Sequence, residues 1–221
     1  MYPLCLNLSG RLCVIVGGGE VAERKVRGVL AASGQVRVVS PAISPALSLL
    51  AEQKRIEWRQ KTYSVSDLDD AFLVFAATDN VDVQEAIHRD AQAARVLANI
   101  ADAPALCDFQ VPATIRRGDL SISVATNGKS PAVAALVRKR LELEFGGEYA
   151  LLTRLAGVLR EQILAEGRDS DETKILFQKI LHDDIVDWLR ERRWERIRQH
   201  LEGVLGRPVG HDVEMLIREN P

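Results

Sequence analysis

A short apolar strand followed by a glycine turn constrains the fold of this chain more than any other segment. Residues 12–16 read LCVIV and stop at glycine, as a buried parallel strand does at a tight turn. Gly17, Gly19 and Ala22 occupy the three small-residue positions of the pattern G-x-G-x-x-G/A. A helix predicted over residues 21–32 would direct its free N–H groups at an anion. The segment therefore predicts a βαβ unit that holds the pyrophosphate of a dinucleotide.

The composition is that of an ordinary globular protein. The 221 residues are 47% hydrophobic, enough for one large domain or a domain with an appendage. The 29 basic and 31 acidic residues give a formal net charge of −2, which argues against a nucleic-acid-binding or polybasic membrane protein. No apolar run approaches the roughly 18 residues of a membrane span, and the first four residues lack the basic start of a signal peptide. We therefore expect a cytoplasmic protein without nucleic-acid or membrane partners.

The cysteines and histidines give no metal signature. Cys5, Cys13 and Cys107 are odd in number and lack a C-x-x-C or Cys/His ligand spacing. Neither a disulfide framework nor a resident metal site is indicated.

Strand and helix patterns alternate through the first half of the chain. After the glycine turn, strands are predicted at residues 36–39, 56–58, 72–77 and 96–98, and helices at residues 43–53 and 81–94. This alternation is typical of a parallel sheet with helices on both faces. We therefore predict an α/β fold with a Rossmann-type sheet in a dinucleotide-binding domain over residues 1–112.

Several predicted strands end in polar residues. Ser40, Thr78-Asp79 and Asn99 lie at the carboxyl ends of strands, where open α/β sheets bind ligands. Together with the glycine turn they form one predicted cofactor site, consisting of Gly17, Gly19, Glu20, Val21, Ser40, Pro41, Ala42, Thr78, Asp79 and Asn99. An acid that would bind the ribose hydroxyls is missing, because the second strand ends in Val39, Ser40 and Pro41. The pattern alone therefore does not reject NADP in favour of NAD.

The pattern changes after about residue 109. Strands at 109–115 and 120–124 predict a hairpin outside the nucleotide domain. The turn at 126–130 precedes Pro131 and a predicted helix to residue 144, and it is either an anion cradle or a simple helix cap. Charged helical patterns from Tyr149 onward predict an all-helical tail. The expected boundaries are a small α+β hairpin-helix segment at residues 113–147 and a helical C-terminal domain at residues 148–221.

Three motifs in the middle of the chain resemble one known family. They read NIADAPALCDFQVPA at residues 99–113, RRGDL at residues 116–120 and TNGKSPA at residues 126–132. This pattern resembles precorrin-2 dehydrogenase, the amino-terminal module of siroheme synthase. The resemblance also includes VGGGEVAERK at residues 16–25 and AATD at residues 76–79. It implies NAD as the cofactor, oxidation of precorrin-2 to sirohydrochlorin and, in many members, insertion of ferrous iron to give siroheme.

The resemblance assigns roles to individual residues. Asp102 matches the catalytic aspartate of the family, implicated in both dehydrogenation and chelation; an Asx turn before Pro104 is the structural alternative. Asp108, the competing carboxylate, is expected to cap backbone. Because precorrin-2 carries many carboxylates, its pocket needs cations and N–H donors. The predicted substrate-binding residues are Arg116, Arg117, Thr126, Asn127, Gly128, Lys129 and Ser130. In bifunctional relatives a serine in this turn can be phosphorylated, and if Thr126 is the matching position it keeps the hydroxyl.

Three functions are compatible with these residues. The chain either oxidises precorrin-2 and then inserts iron, or performs the oxidation alone beside a separate chelatase, or senses a dinucleotide as a regulatory module. The last alternative would not need Asp102 together with a basic hairpin. Iron insertion needs no resident metal cluster, because the tetrapyrrole nitrogens are the final ligands. The resemblance also implies a homodimer, and the end at Pro221 predicts a stand-alone module without a methyltransferase.

Overall fold

The first half of the chain folds around a five-stranded sheet. The computed structural model describes residues 1–167 and 169–219. Its first strands are β1 (Leu12–Val16), β2 (Gln35–Val39), β3 (Glu57–Arg59), β4 (Ala71–Ala76) and β5 (Leu97–Ile100). They lie in the order β3-β2-β1-β4-β5, and every neighbouring pair is parallel. The predicted Rossmann-type sheet is therefore confirmed.

Helices cover both faces of this sheet. They are α1 (Glu20–Leu30), α2 (Pro45–Glu52) and α3 (Val81–Ala94). Cys13 and Ile15 of β1 lie in the hydrophobic core that includes residues of α1 and α2, whereas Val14 and Val16 lie in the core that includes residues of α3. Because β1 is buried on both faces, its sequence is continuously apolar instead of alternating.

The strand order places a crevice at the carboxyl ends of β1 and β4. The chain moves outward from β1 to β2 and β3 and then returns to β4 on the opposite side of β1. Val16, the last residue of β1, pairs with Val39 of β2 and Ala76 of β4. The residues that follow these strands therefore begin at the same level of the sheet. Open α/β folds bind ligands at such a reversal of strand order.

The remainder of the chain forms a second compact unit. The boundary lies between Met1–Val111 and Pro112–Pro221. The second unit begins with an antiparallel hairpin and a helix, which are β6 (Ala113–Arg117), β7 (Leu120–Val124) and α4 (Pro131–Glu144). Arg117 pairs with Leu120, so the connecting turn contains only Gly118 and Asp119.

The prediction of a strand at residues 109–115 was wrong at its start. The Asp108 amide donates to the Ala98 carbonyl at 2.9 Å, and the Phe109 carbonyl accepts from Asn99 Nδ2 at 2.9 Å. These bonds hold Asp108 and Phe109 beside β5 in the first unit. The hairpin begins only beyond them, at Ala113.

The helical tail has its own hydrophobic core. Its described helices are α5 (Glu148–Ala165), α6 (Ser170–Ile180), α7 (Asp183–Arg190), α8 (Trp194–Leu205) and α9 (His211–Glu219). Leu159, Ile163, Ile180, Ile197 and Leu201 are fully buried within this core. None of the helices in the described part of the chain has the length and apolar character needed to cross a membrane. The subdivision at residue 147 stays a prediction.

Candidate cofactor-binding and active site

Backbone contacts fix the glycine loop after β1. The Gly17 amide donates to the Val39 carbonyl at 3.0 Å, and the Ala77 amide donates to the Val16 carbonyl at 2.7 Å. Gly17 has a φ of +121°, and a Cβ at this position would lie 2.1 Å from the Ala77 carbonyl oxygen. The first glycine of the motif is therefore required by the turn itself, before any ligand is considered.

The next glycine is packed against a neighbouring loop. A Cβ on Gly18 would lie 2.0 Å from the Ala42 carbonyl oxygen. The Ser44 amide donates to the Gly18 carbonyl at 2.8 Å, and the Ser44 hydroxyl caps α2 by accepting from the Leu47 amide at 3.3 Å. The loop after β2 is thereby held against the glycine loop.

Gly19 is the glycine that is open to a ligand. It is the N-cap of α1 and has no side chain to cap the helix, and apart from its chain neighbours no atom lies within 4 Å of an ideal Cβ at this position. The first N–H groups of a helix have no partner within the helix and attract anions. Open space in front of an uncapped helix N-terminus fits the pyrophosphate of a dinucleotide.

A cleft of about 420 Å³ lies in front of this helix. That volume is within the usual range of small-molecule sites, roughly 300–1,000 Å³. The lining comes from loops that follow four strands of the sheet. Its residues are Gly17, Gly18, Gly19, Glu20, Val21, Ser40, Ala77, Thr78, Asp79, Ala101 and Asp102. The fold therefore brings the predicted catalytic aspartate and most of the predicted cofactor residues to one cleft.

Asp102 occupies the turn that follows β5. The Ala101 amide donates to the Ala76 carbonyl at 2.9 Å, which ties this turn to the end of β4. Asp102 itself has a φ of +59°, and its side chain is exposed at the cleft. A left-handed conformation is uncommon outside glycine, and Asp is among the residues that tolerate it. The turn thus presents a carboxylate instead of burying it.

Thr78 and Asp79 lie between β4 and α3, and both line the cleft. The Thr78 carbonyl accepts from Gln84 Nε2 at 2.6 Å, and its hydroxyl oxygen accepts from the Asn80 amide at 3.3 Å. Asn80 caps α3 by accepting from the Val83 amide at 3.0 Å. This capped turn holds Thr78 and Asp79 at the edge of the sheet.

The loop after β2 borders the cleft through Ser40. Its side chain is buried, and its hydroxyl donates to the Ala42 carbonyl at 2.7 Å. The Ser40 carbonyl accepts from Trp58 Nε1 at 3.0 Å, and the Pro41 carbonyl accepts from Gln60 Nε2 at 3.4 Å. Pro41 and Ala42 flank the cleft without lining it. The loop places no carboxylate where ribose hydroxyls are usually bound.

Asn99 does not line the cleft. Its Oδ1 accepts from Lys25 Nζ at 3.1 Å, and its Nδ2 donates to the Phe109 carbonyl. Burial, assisted by the nearby Arg24, holds the pKa of Lys25 below its ordinary value. Lys25 ends the motif VGGGEVAERK, but its hydrogen bond to Asn99 was not predicted because the two residues are 74 positions apart.

The second unit uses several predicted substrate-binding residues for its own structure. Arg117 Nε and Nη2 donate to the carbonyls of Phe145 and Glu142 at the end of α4, at 2.7 and 3.2 Å. The Ser130 hydroxyl caps the start of α4 by accepting from the Val133 amide at 3.2 Å. The Thr126 hydroxyl accepts from the Ser130 amide at 3.1 Å.

The remaining predicted substrate-binding residues are exposed. Asn127 and Gly128 form the tip of the turn with φ values of +51° and +78°. Arg116 and Lys129 are exposed, and no partner for either side chain is found within the described ranges 1–167 and 169–219. Among the predicted substrate-binding residues, these two cations are the side chains best suited to bind an acidic ligand.

Two family models match consecutive parts of the chain. A model of an NAD(P)-binding family matches residues 4–113, and a model described as the central part of a sirohaem biosynthesis protein matches residues 117–142. The siroheme synthase of Methylobacillus flagellatus is 33% identical over 216 residues, which cover 97% of this chain and 46% of that protein. The siroheme synthase of Xylella fastidiosa is 35% identical over 206 residues, which cover 93% of this chain and 43% of that protein.

The chain belongs to the siroheme synthase module family. The resemblance proposed from the three motifs is therefore confirmed. The region that matches the NAD(P)-binding family model corresponds to the unit that contains the cleft. The chain spans less than half the length of the siroheme synthases it matches.

A solved structure has the same fold as this chain. It is described as SirC, precorrin-2 dehydrogenase, and the match has a TM-score of 0.78 and 24% sequence identity. The match covers 93% of this chain and 100% of that one. This likeness agrees with the predicted fold class, an α/β fold with a Rossmann-type sheet and a helical C-terminal region.

The predicted cofactor fits the module. The NAD(P)-binding family model includes the glycine loop, the polar strand ends and Asp102. Dinucleotide binding by that family agrees with the open space at Gly19 and with the cleft in front of α1. An NAD(P) cofactor, predicted as NAD, is supported by the family model and by the geometry of this unit.

Proposed function

We propose that this siroheme synthase module oxidises precorrin-2 to sirohydrochlorin with NAD. The observation that carries the proposal is one cleft lined both by an uncapped helix N-terminus behind Gly19 and by the exposed carboxylate of Asp102. The names of the related proteins, siroheme synthase and precorrin-2 dehydrogenase, supply the substrate. A cofactor site without an adjacent carboxylate would instead fit a dinucleotide sensor.

The reaction removes one hydride and one proton from precorrin-2 and yields sirohydrochlorin, NADH and H⁺. Bound NAD would supply the hydride acceptor. The first N–H groups of α1 would hold the pyrophosphate, and Gly19 would allow its close approach. Three exposed acidic side chains line the cleft, Glu20, Asp79 and Asp102, and we assign proton acceptance to Asp102 because it matches the catalytic aspartate of the family. In the second unit, Arg116 and Lys129 bind carboxylates of the tetrapyrrole.

Ferrous iron insertion is the second proposed activity, and it is supported by the name siroheme synthase of the relatives. Iron is a substrate in this reaction. The described residues contain no group of three or more His, Cys, Asp or Glu side chains able to hold a metal ion. The tetrapyrrole nitrogens would therefore bind the iron, while Asp102 would accept protons that they release. Oxidation alone, with a separate chelatase, is the alternative.

We further propose a cytoplasmic homodimer. The exposed apolar residues of α4 support a second copy as the partner, since Val133, Leu136 and Leu143 are 49%, 55% and 88% exposed. The free thiols of Cys5, Cys13 and Cys107 agree with a reducing compartment. Light scattering at micromolar concentration is expected to give twice the monomer mass, and a monomer mass would contradict the dimer.

The function is tested by mixing the purified chain with precorrin-2 and NAD and following the tetrapyrrole absorption spectrum. We expect the sirohydrochlorin spectrum to appear together with NADH absorbance, and no change without protein. A matched reaction with NADP tests the cofactor preference that Ser40 leaves open. Failure with both cofactors would contradict the enzyme proposal. Addition of Fe²⁺ after oxidation should give siroheme faster than the protein-free control, and equal rates would favour oxidation alone.

A further inference from the structure

The turn that presents Asp102 is only weakly closed by its own backbone. It runs from Ile100 to Ala103, and the Ala103 amide reaches the Ile100 carbonyl at 3.5 Å. That distance is long for an N–H···O hydrogen bond, for which about 2.9–3.0 Å is most common. Asp102 also has a positive φ, which costs conformational energy for a residue with a side chain. The Ala101 amide bond to Ala76 ties the start of the turn to β4, and a further group that joins its two ends would help to hold it.

The Cys107 thiol is bonded to both ends of the turn. Its Sγ accepts from the Ile100 amide at 3.1 Å and lies 3.2 Å from the Ile100 carbonyl oxygen, to which it can donate. It also lies 3.4 Å from the Ala103 carbonyl oxygen, a second acceptor. Asn99 Nδ2 approaches the sulfur from β5 at 3.7 Å. One side chain thus bridges the residues immediately before and after the segment Ala101-Asp102.

Cys107 is itself fixed to the sheet by the next residue. The Asp108 carboxylate accepts from the Ala98 amide at 2.9 Å and from Gln92 Nε2 at 3.2 Å. The Asp108 amide donates to the Ala98 carbonyl, which completes a two-way connection to β5. This geometry agrees with the backbone-capping role that the sequence favoured for Asp108. The thiol therefore connects a rigid strand to the turn that carries Asp102.

We propose that Cys107 is a positioning residue that holds the Ile100–Ala103 turn so that the Asp102 carboxylate stays at the cleft. The proposal rests on the proposed role of Asp102 in proton transfer. It assigns no chemistry to the thiol. Loss of the sulfur contacts would release the turn and lower turnover, but it would leave the dinucleotide contacts of the glycine loop in place.

The test compares Cys107→Ala, Cys107→Ser and Cys13→Ala. Alanine removes every side-chain hydrogen bond at position 107, whereas serine keeps a group that can donate and accept. Cys13 is a matched control, because it is buried in β1 and its thiol has only a distant contact with the Arg11 carbonyl at 3.9 Å. Hydrogen exchange of the amides at residues 101–103 is measured together with the kcat for precorrin-2 and the KM for NAD.

We expect Cys107→Ala to raise amide exchange in the turn and to lower kcat by about tenfold or more, with the KM for NAD within about threefold of wild type. Cys107→Ser should recover most of both losses. Cys13→Ala should lower thermal stability but change neither turn exchange nor kcat. This split between kcat and KM, and the rescue by serine, would not accompany a general loss of packing.

Unchanged turn exchange in Cys107→Ala would overturn the proposal, and so would raised exchange with unchanged kcat. If the alanine variant does not fold, the serine variant decides, because it should then fold with near-wild-type turn exchange. If the wild type does not oxidise precorrin-2, the proposed function fails, while the exchange measurement still decides whether the thiol holds the turn.

Discussion

The two compact units of this chain use their motif residues in different ways. In the first unit, the strand ends leave Gly19 and Asp102 open to a cleft. In the second unit, Arg117, Thr126 and Ser130 use their hydrogen-bonding groups on the ends of α4 and the turn before it. A polar residue in a functional motif is therefore best placed to bind a ligand where the fold leaves its hydrogen-bonding groups without a partner.

The largest expected effect comes from the glycine that the fold itself requires. Gly17→Ala would place a methyl group against the Ala77 carbonyl and force alanine into a φ of +121°. We expect a loss of about 3 kcal/mol or more in the free energy of unfolding, measured by urea titration. A variant as stable as wild type would show that the loop can rearrange.

Gly19→Ala is the matched variant on the ligand side of the same loop. Because nothing lies within 4 Å of the added methyl group, stability should change by less than about 1 kcal/mol. NAD affinity should fall about tenfold or more, since the methyl group occupies the space for the pyrophosphate. Unchanged affinity in isothermal titration would break the distinction between the two glycines.

A carboxylate used for structure provides the next comparison, within the first unit. Asp67 is fully buried and bonded to Arg59 at 2.9 Å, Lys61 at 2.7 Å and the Ser64 amide at 2.9 Å. Burial alone would raise the pKa of Asp67, but these bonds outweigh it and hold the pKa below its ordinary value. Asp67→Asn should cost about 2 kcal/mol of stability at pH 7, because it removes the charge that pairs with both cations. The cost is not larger because both cations are partly exposed to water, which weakens the ion pairs.

The pH dependence of that cost has a definite sign. A lowered folded-state pKa means that the carboxylate contributes stability above its unfolded pKa, which is 3.8, and loses it as the pH falls through the folded value. The difference between wild type and Asp67→Asn should therefore shrink from pH 7 to pH 3 in urea titrations. An equal difference at both pH values would mean that the ion pairs do not stabilise the fold.

The smallest effect is expected at two adjacent arginines of the second unit. Arg117→Gln should lower stability by about 1 kcal/mol, because the end of α4 loses a cation bonded to its carbonyls. Arg116→Gln should leave stability unchanged and raise the KM for precorrin-2, since its guanidinium is exposed. Thermal melts and steady-state kinetics check both variants. The reverse pattern would contradict the assignment of Arg116 to the substrate and Arg117 to the helix.

Local sequence patterns were sufficient to predict the sheet and the cleft. The run at residues 12–16 encodes a strand buried on both faces, and the polar strand ends Ser40 and Thr78 reach one edge because the strands are parallel. Asp102 was identified by resemblance, and the structure places it at that edge. The sheet and its polar edge depend on periodicity and on the position of residues along strands, both of which can be seen in the sequence, whereas the role of Asp102 came from the resemblance.

Long-range hydrogen bonds account for what the sequence did not predict. Asn99 was expected at the cofactor, but Lys25 and the Phe109 carbonyl bind its amide. Arg117 was expected at the substrate, but it binds carbonyls 25 and 28 residues away. Because no local pattern encodes such partners, the sequence could identify these residues as unusual without revealing which group each one binds.

The proposed function depends on proton transfer by the exposed carboxylate of Asp102 at the dinucleotide cleft. The most direct test is the kcat of Asp102→Asn with precorrin-2 at saturating NAD, together with the Kd for NAD. The asparagine keeps the size of the side chain and tolerates the same left-handed φ, but it cannot accept the proton. We predict a kcat at least about 100-fold below wild type with a Kd within a few-fold of it. Wild-type turnover by this variant would contradict the account.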